Sequence, residues 1–188
     1  MKYARSIESK LSEQHAFIQR KSDKSLNIVL PFNGIRTYSD GETLYSVLEY
    51  IEEHDYLVIH QQYWEGNAYA LLNMKTGKFH EITGYPLFSP NGKYIAVVEK
   101  DLVAEYSPNT LQIYKAKHTL ELVHDAKPKL WGPGKVKWKN NTSLSFLKTK
   151  YNDKHDPFSK SKELSARYIE VPATLELRDG VWDLTLNE

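Results

Sequence analysis

The sequence predicts an all-β protein assembled from repeated units of short antiparallel strands. Two observations carry that expectation. Segments 55–83, 93–123 and 143–178 share one order: an apolar strand, a polar connection, a second strand, a tight turn and a third strand. The residues filling those strands are β-branched or aromatic, and aromatics reach 12% of the chain, which favours pleated over helical structure.

Residues 1–14 precede the pattern. Ala4, Ile7 and Leu11 fall on one helical face, so this stretch reads as an N-terminal tail or a short helix. HAFIQR, SLNIVLP and IRTYSD follow, three strands joined by KSDK and FNG, which make a first unit over 15–40. A second unit over 41–83 closes through Thr76-Gly77, a pair that tolerates positive φ. A third, over 84–125, opens with GYPLFSPNG, where Pro90 presets one turn angle and Gly92 takes the left-handed one. The fourth, over 134–178, begins with GKVKWKNNT, and Pro172 reads as the end of its third strand.

GVWDLTLNE remains, one strand over 181–186 with no partner of its own in this scheme. If it completes the three-stranded first unit, the chain closes on itself and leaves no exposed edge. The expectation is therefore a single domain over 1–188: a small β-propeller-like arrangement of about four blades of four strands, with the last strand closing the first blade. A β-sandwich or an open curved sheet is the alternative.

PLFSPNGKYIAVVEKD and LQIYKAKHTLELV resemble the WD-repeat-like propeller blade of bacterial proteins, whose hallmark is a Ser-Pro-Asp-Gly turn before an apolar strand. The turn here is Ser89, Pro90, Asn91 and Gly92. The resemblance is good over 85–123, weaker over 55–83 and faint elsewhere. No unit carries a Gly-His…Trp-Asp signature, and the single Trp-Asp pair, Trp182-Asp183, stands in the final strand.

Composition excludes several classes. The chain has no cysteine, so neither a disulfide framework nor a thiolate zinc site is available. A formal charge of +1 gives the molecule as a whole no pull toward nucleic acid or anionic lipid. No apolar run is long enough to span a bilayer, and the N-terminus lacks the apolar core of a secretory signal. These features suit a soluble monomer, cytoplasmic, or periplasmic if a signal has been removed.

Motifs for chemistry are sparse. There is no G-x-S-x-G, and the two glycines of WGPGKVKW lack the hydroxyl residue and helix of a phosphate loop. The seven histidines show none of the spacings of metal sites. A weak cation site formed by Asp153, His155 and Asp156 is the nearest approach to a metal centre; no cofactor is expected, and no pair of carboxylates stands out as acid and base.

Charge is unevenly placed. Seven acids and no Lys or Arg lie between Thr37 and Met74, a stretch that also holds Tyr63 and Trp64 in a strand connection. Aromatics beside carboxylates suit a contact for a basic protein partner, and Glu49, Glu52, Glu53, Asp55, Tyr63 and Trp64 are its expected residues. Ten lysines against two aspartates lie between Lys127 and Lys162, so Lys135, Lys137, Lys139, Trp131 and Trp138 form a basic patch. The leading expectation is a non-enzymatic protein-binding module, of inhibitor or immunity type, masking a basic partner. The alternatives are a small-ligand- or ion-binding propeller, hydrolytic in one version, and a weak nucleic-acid binder acting through the lysine-rich unit.

Overall fold

A computed structural model of the chain describes residues 13, 18–22, 25–30, 34–38, 42–64, 66–102, 106–116, 119–152 and 168–186. The chain divides into two compact units, Met1–Thr83 and Gly84–Glu188. Residues 1–12 and 14, where a helix or tail is expected, and the loop with Asp153, His155 and Asp156 lie outside the described residues.

The first unit holds two antiparallel sheets. One contains β1 (Ile18–Ser22), β2 (Ser25–Leu30) and β3 (Gly34–Tyr38) in that order. The other contains β4 (Leu44–Ile51), β5 (Tyr56–Gln62), β6 (Asn67–Asn73) and β7 (Phe79–Ile82), again in chain order. Both are meanders, each strand pairing with its neighbour in sequence through a short turn. Ile18, Leu26 and Ile28 of the smaller sheet share one core with Val47, Leu57, Ile59, Ala70 and Leu72 of the larger. Tyr56, Leu57, Val58 and Ile59 are buried in succession, so β5 is covered on both faces and reads as a continuous apolar run.

The second unit repeats the plan. One sheet is β8 (Tyr85–Phe88), β9 (Tyr94–Glu99), β10 (Thr110–Ala116) and β11 (Leu120–Ala126). The other is β12 (Gly132–Asn140), β13 (Ser143–Tyr151), β14 (Tyr168–Arg178) and β15 (Val181–Leu186). Ala96, Leu111 and Ile113 pack with Leu144, Phe146, Ala173, Leu175 and Trp182. The chain is thus all-β, in blade-like antiparallel sheets, as the repeat pattern predicts.

The Ser89–Gly92 turn shows why that motif precedes a strand. Ser89 is buried, and its hydroxyl accepts from Tyr94 N at 3.0 Å while donating to Asn91 Oδ1 at 3.0 Å. Asn91 Oδ1 also accepts from Lys93 N at 3.1 Å, and Gly92 takes φ 65°. The Asn91 oxygen therefore closes the turn by accepting from both Ser89 and Lys93. Asn73 does similar work between β6 and β7, where its side-chain oxygen accepts from the amides of Lys75 and Thr76.

The final strand departs from expectation. β15 does not complete the first sheet; it pairs with β14 in a register from Arg178↔Val181 to Ala173↔Leu186. Asp179 and Gly180 join them at φ 49° and 83°, the two left-handed residues of a two-residue hairpin. Pro172 does not end a strand either, because β14 runs through it from Tyr168 to Arg178. It stands one residue beyond the last β15 partner, where β14 is an edge on that side and a missing N–H is tolerated. Burial enforces the hairpin: Trp182 is 6% exposed and meets the rings of Tyr94 and Trp138 edge-on at 5.3 and 6.0 Å.

Two glycines separate close packing from backbone freedom. A Cβ on Gly84 would stand 2.0 Å from the carbonyl oxygen of Val98, whereas one on Gly180 would meet nothing within 4 Å. Gly84→Ala is expected to cost about 3 kcal/mol, since backbone must move. Gly180→Ala should cost only about 1 kcal/mol, the strain of a left-handed alanine. Urea unfolding of the two variants checks the ranking; equal losses would show that the carbonyl of Val98 yields freely.

Candidate functional site

The acidic residues gather at one end of the first unit. β4 ends in a single 3-10 turn, Glu52–His54, which Asp55 terminates at φ 55°. Glu52 and Glu53 are exposed, and so is Glu49 on β4, next to a register shift between Val47 and Glu49. Asp55 differs from them. Its Oδ1 accepts from the Tyr50 hydroxyl at 2.9 Å, and its Oδ2 meets Lys75 Nζ at 2.6 Å. Its backbone oxygen accepts from Met74 N at 2.8 Å, so the residue ties the β4–β5 turn to the end of β6. Lys75 holds the Asp55 carboxyl below its ordinary value, while burial and then the bond to Asp55 push the Tyr50 phenol up to about 12.

Tyr63 and Trp64 lie at the other end of β5, in the connection to β6. Seven residues of strand separate them from the acidic turn, roughly 20 Å at the usual rise. The structure therefore does not bring the acids and the aromatics onto one spot. The tip itself is well held: Tyr63 N donates to the oxygen of Gly66 at 3.2 Å, and Gly66 takes φ 90°. Trp64 projects from it 99% exposed, and Tyr63 is 41% exposed.

The basic stretch behaves as alternation predicts, with Lys135, Lys137 and Lys139 exposed on β12 and Val136 and Trp138 half-buried between them. Lys135 sits in a bulge at φ 49° and pairs with Glu170 at 3.0 Å. Lys139 Nζ donates to Thr174 Oγ1 at 3.3 Å. Trp138 donates its indole N–H to the oxygen of Leu87 at 2.9 Å, and Trp131 stacks on Phe146 with Lys148 Nζ 5.3 Å from its ring centre. The tryptophans are bound into the unit instead of forming a stacking platform for bases.

A cleft of about 900 Å³ in the second unit has no counterpart among the expected sites. Lys127, Lys129 and Lys150 surround it, with Leu130, Tyr106 and Tyr151 at its apolar wall. Asp101 shapes one side: its Oδ2 accepts from Tyr106 N at 2.8 Å and Ser107 N at 3.3 Å, while its own N–H donates to Asn109 Oδ1 at 3.0 Å. Tyr151 donates to the oxygen of Leu102. Such a surface can hold an anionic, partly apolar group, but it presents no nucleophile–base pair. The sequence carries no signal for it, since lysines 127, 129 and 150 and tyrosines 106 and 151 are spread over 46 positions.

Among the described residues, no three of His, Asp and Glu converge to hold a metal ion. Burial pushes the imidazoles of His60, His80 and His124 below their ordinary value. No described helix is long and apolar enough to cross a membrane.

No protein-family model matches the chain, and no curated protein does. Among solved structures, the N-terminal domain of Nup159 is 13% identical with a TM-score of 0.44, over 91% of this chain and 47% of that one. A chain of an S. cerevisiae complex of a Dbp5 variant with Nup159, a Gle1 variant, IP6 and ADP is 13% identical with a TM-score of 0.43, over 91% and 46%. This chain thus spans just under half the length of the structures it matches.

The Asp55 cluster sets a pH dependence at both ends. A carboxyl depressed in the fold contributes stability above its unfolded value, near 3.9, and loses it as the pH falls through the folded value. A phenol raised in the fold contributes below its unfolded value, near 10, and loses it as the pH climbs toward 12. Asp55→Asn should therefore flatten the acid limb of the stability–pH curve and move the Tyr50 titration back toward 10, read by phenolate absorbance. An unchanged Tyr50 titration would remove Asp55 from its causes.

Proposed function

We propose that the chain is a non-enzymatic protein-binding module that anchors its partner on Trp64. The observation that carries this is the 99% exposure of a tryptophan on a tip whose backbone is closed by the Tyr63–Gly66 hydrogen bond. Leaving the largest apolar side chain in water forgoes the burial that folding would otherwise supply, and tryptophan and tyrosine are the residues that dominate protein contacts. A tip closed by a backbone hydrogen bond has less conformational freedom to lose on binding. The carboxylates of Glu49, Glu52 and Glu53, about a strand's length away, form a second contact that favours a basic partner and speeds its capture. In its most specific form, the module is an inhibitor or immunity-type protein that masks such a partner.

Trp64→Ala should weaken the partner's affinity at least about tenfold, the mark of a hot-spot residue, without moving the melting temperature. Charge reversal at Glu49, Glu52 and Glu53 should slow association more than it speeds dissociation, and salt should erase the difference. The wild type and both variants serve as bait in parallel. A stoichiometric protein retained equally by the wild type and Trp64→Ala would rule out the tip as the anchor, and one indifferent to charge reversal would rule out the acidic contact.

A further inference from the structure

β12 carries glycine at alternate positions, Gly132 and Gly134, and the missing side chains let Lys100 lie close against the strand. A Cβ on Gly132 would stand 2.5 Å from Lys100 Cγ and 2.7 Å from Asn109 Oδ1. A Cβ on Gly134 would stand 3.6 Å from Lys100 Nζ and 3.1 Å from Thr149 Oγ1. The stem of Lys100, which follows β9, is thus laid over Gly132, and its ammonium is delivered above Gly134. This is the Gly-Pro-Gly of WGPGKVKW, which lacks every mark of a phosphate loop and acquires a role only through Lys100.

Thr149 faces the same place. It pairs with Gly132 on one side and with Glu170 on the other, and only 3% of it is exposed. Its Oγ1 is buried and has no hydrogen-bond partner among the described residues. A buried hydroxyl in that condition is costly, and native structures rarely retain one without a reason. Lys100 Nζ makes no ion pair among the described residues. Tyr168 and Glu170 complete a cleft of about 370 Å³ around these two donors. The Glu170 carboxylate is held by Lys135 at 3.0 Å, so its charge is already offset at the wall.

We propose that this cleft binds a compact oxyanion, the carboxylate or phosphate group of a small molecule, between Lys100 Nζ and Thr149 Oγ1. Both donors lie within 3.6 Å of one point above Gly134, where an oxygen seated slightly higher accepts from each. An ammonium supplies charge-assisted strength, and the hydroxyl gains an acceptor. Gly134 keeps the seat open; any side chain there would occupy it. The phenol of Tyr168 and the free side of Glu170 suit donor and acceptor groups elsewhere on the same ligand.

The test is an amide-resolved NMR titration of the full chain with sodium phosphate and, separately, sodium acetate, at constant ionic strength balanced by chloride. One of the two anions should shift the amides of Gly132, Gly134 and Thr149 saturably, and which one does so identifies the ligand group. Thr149→Val keeps the volume and removes the hydroxyl, Lys100→Met keeps the stem and removes the charge, and Gly134→Ala fills the seat. Each should weaken binding at least tenfold while leaving the spectrum elsewhere unchanged. Shifts that fail to saturate with either anion would overturn the proposal, as would saturable shifts that persist unaltered in Thr149→Val, the variant least able to disturb the fold. Should Lys100→Met or Gly134→Ala unfold, the Thr149→Val titration alone decides.

Discussion

Burial of the central strands, sheet against sheet, is the constraint on which everything else in each unit depends. A three- or four-stranded sheet of such short strands does not hold together in water unless one face is covered. In the first unit Leu26 and Ile28 meet Leu57, Ile59 and Leu72; in the second, Leu111 and Ile113 meet Leu144, Phe146 and Leu175. Each such side chain contributes about 1.5–3 kcal/mol when fully buried. The middle strands are therefore committed to packing, and only turns, edges and strand ends are left to meet other molecules. Trp64, the acidic turn and both clefts all lie in those places.

What keeps those exposed parts in position is a set of short polar side chains bonded to nearby backbone. Ser89 and Asn91 close one turn, Asn73 another, Asp101 a third, and Asp55 gathers Tyr50, Lys75 and the amide of Met74. Such bonds satisfy main-chain groups that no ladder reaches and tie the loops to the strands beside them. They explain how a surface built from connections can present a fixed geometry. They also show that a carboxylate in an acidic stretch need not be free for a partner. Asp55 is spent on structure, while Glu52 and Glu53 beside it are not paired in this way.

Several breaks in local rules fall beside the cleft above Gly134. Two glycines weaken the start of a strand, a lysine takes a left-handed backbone conformation at Lys135, and a threonine buries a hydroxyl with no partner among the described residues. None of these helps the sheet. Their concentration within a few residues of β12 and β13 is the pattern expected where folding has yielded to a binding site.

Strand content and most turns were legible in the sequence because both are set by neighbours a few residues apart. Alternation located β12, β-branched and aromatic residues located β9, Ser89–Gly92 marked the turn before β9, and Thr76-Gly77 marked the turn between β6 and β7. The fate of the last strand was legible as well, in Asp179-Gly180, but reading Pro172 as a strand end concealed it. Membership of a site is a different matter. Charge counting placed Glu52 and Trp64 together, yet β5 holds them apart, and it marked Trp131 and Trp138 as available when packing had engaged both. Lys100, Gly134, Thr149 and Glu170 are scattered over some 70 positions and share no motif. Side-chain period and turn chemistry are local properties that one sequence states directly. Which side chains converge is decided by strand register and sheet packing, and those exist only in the folded chain.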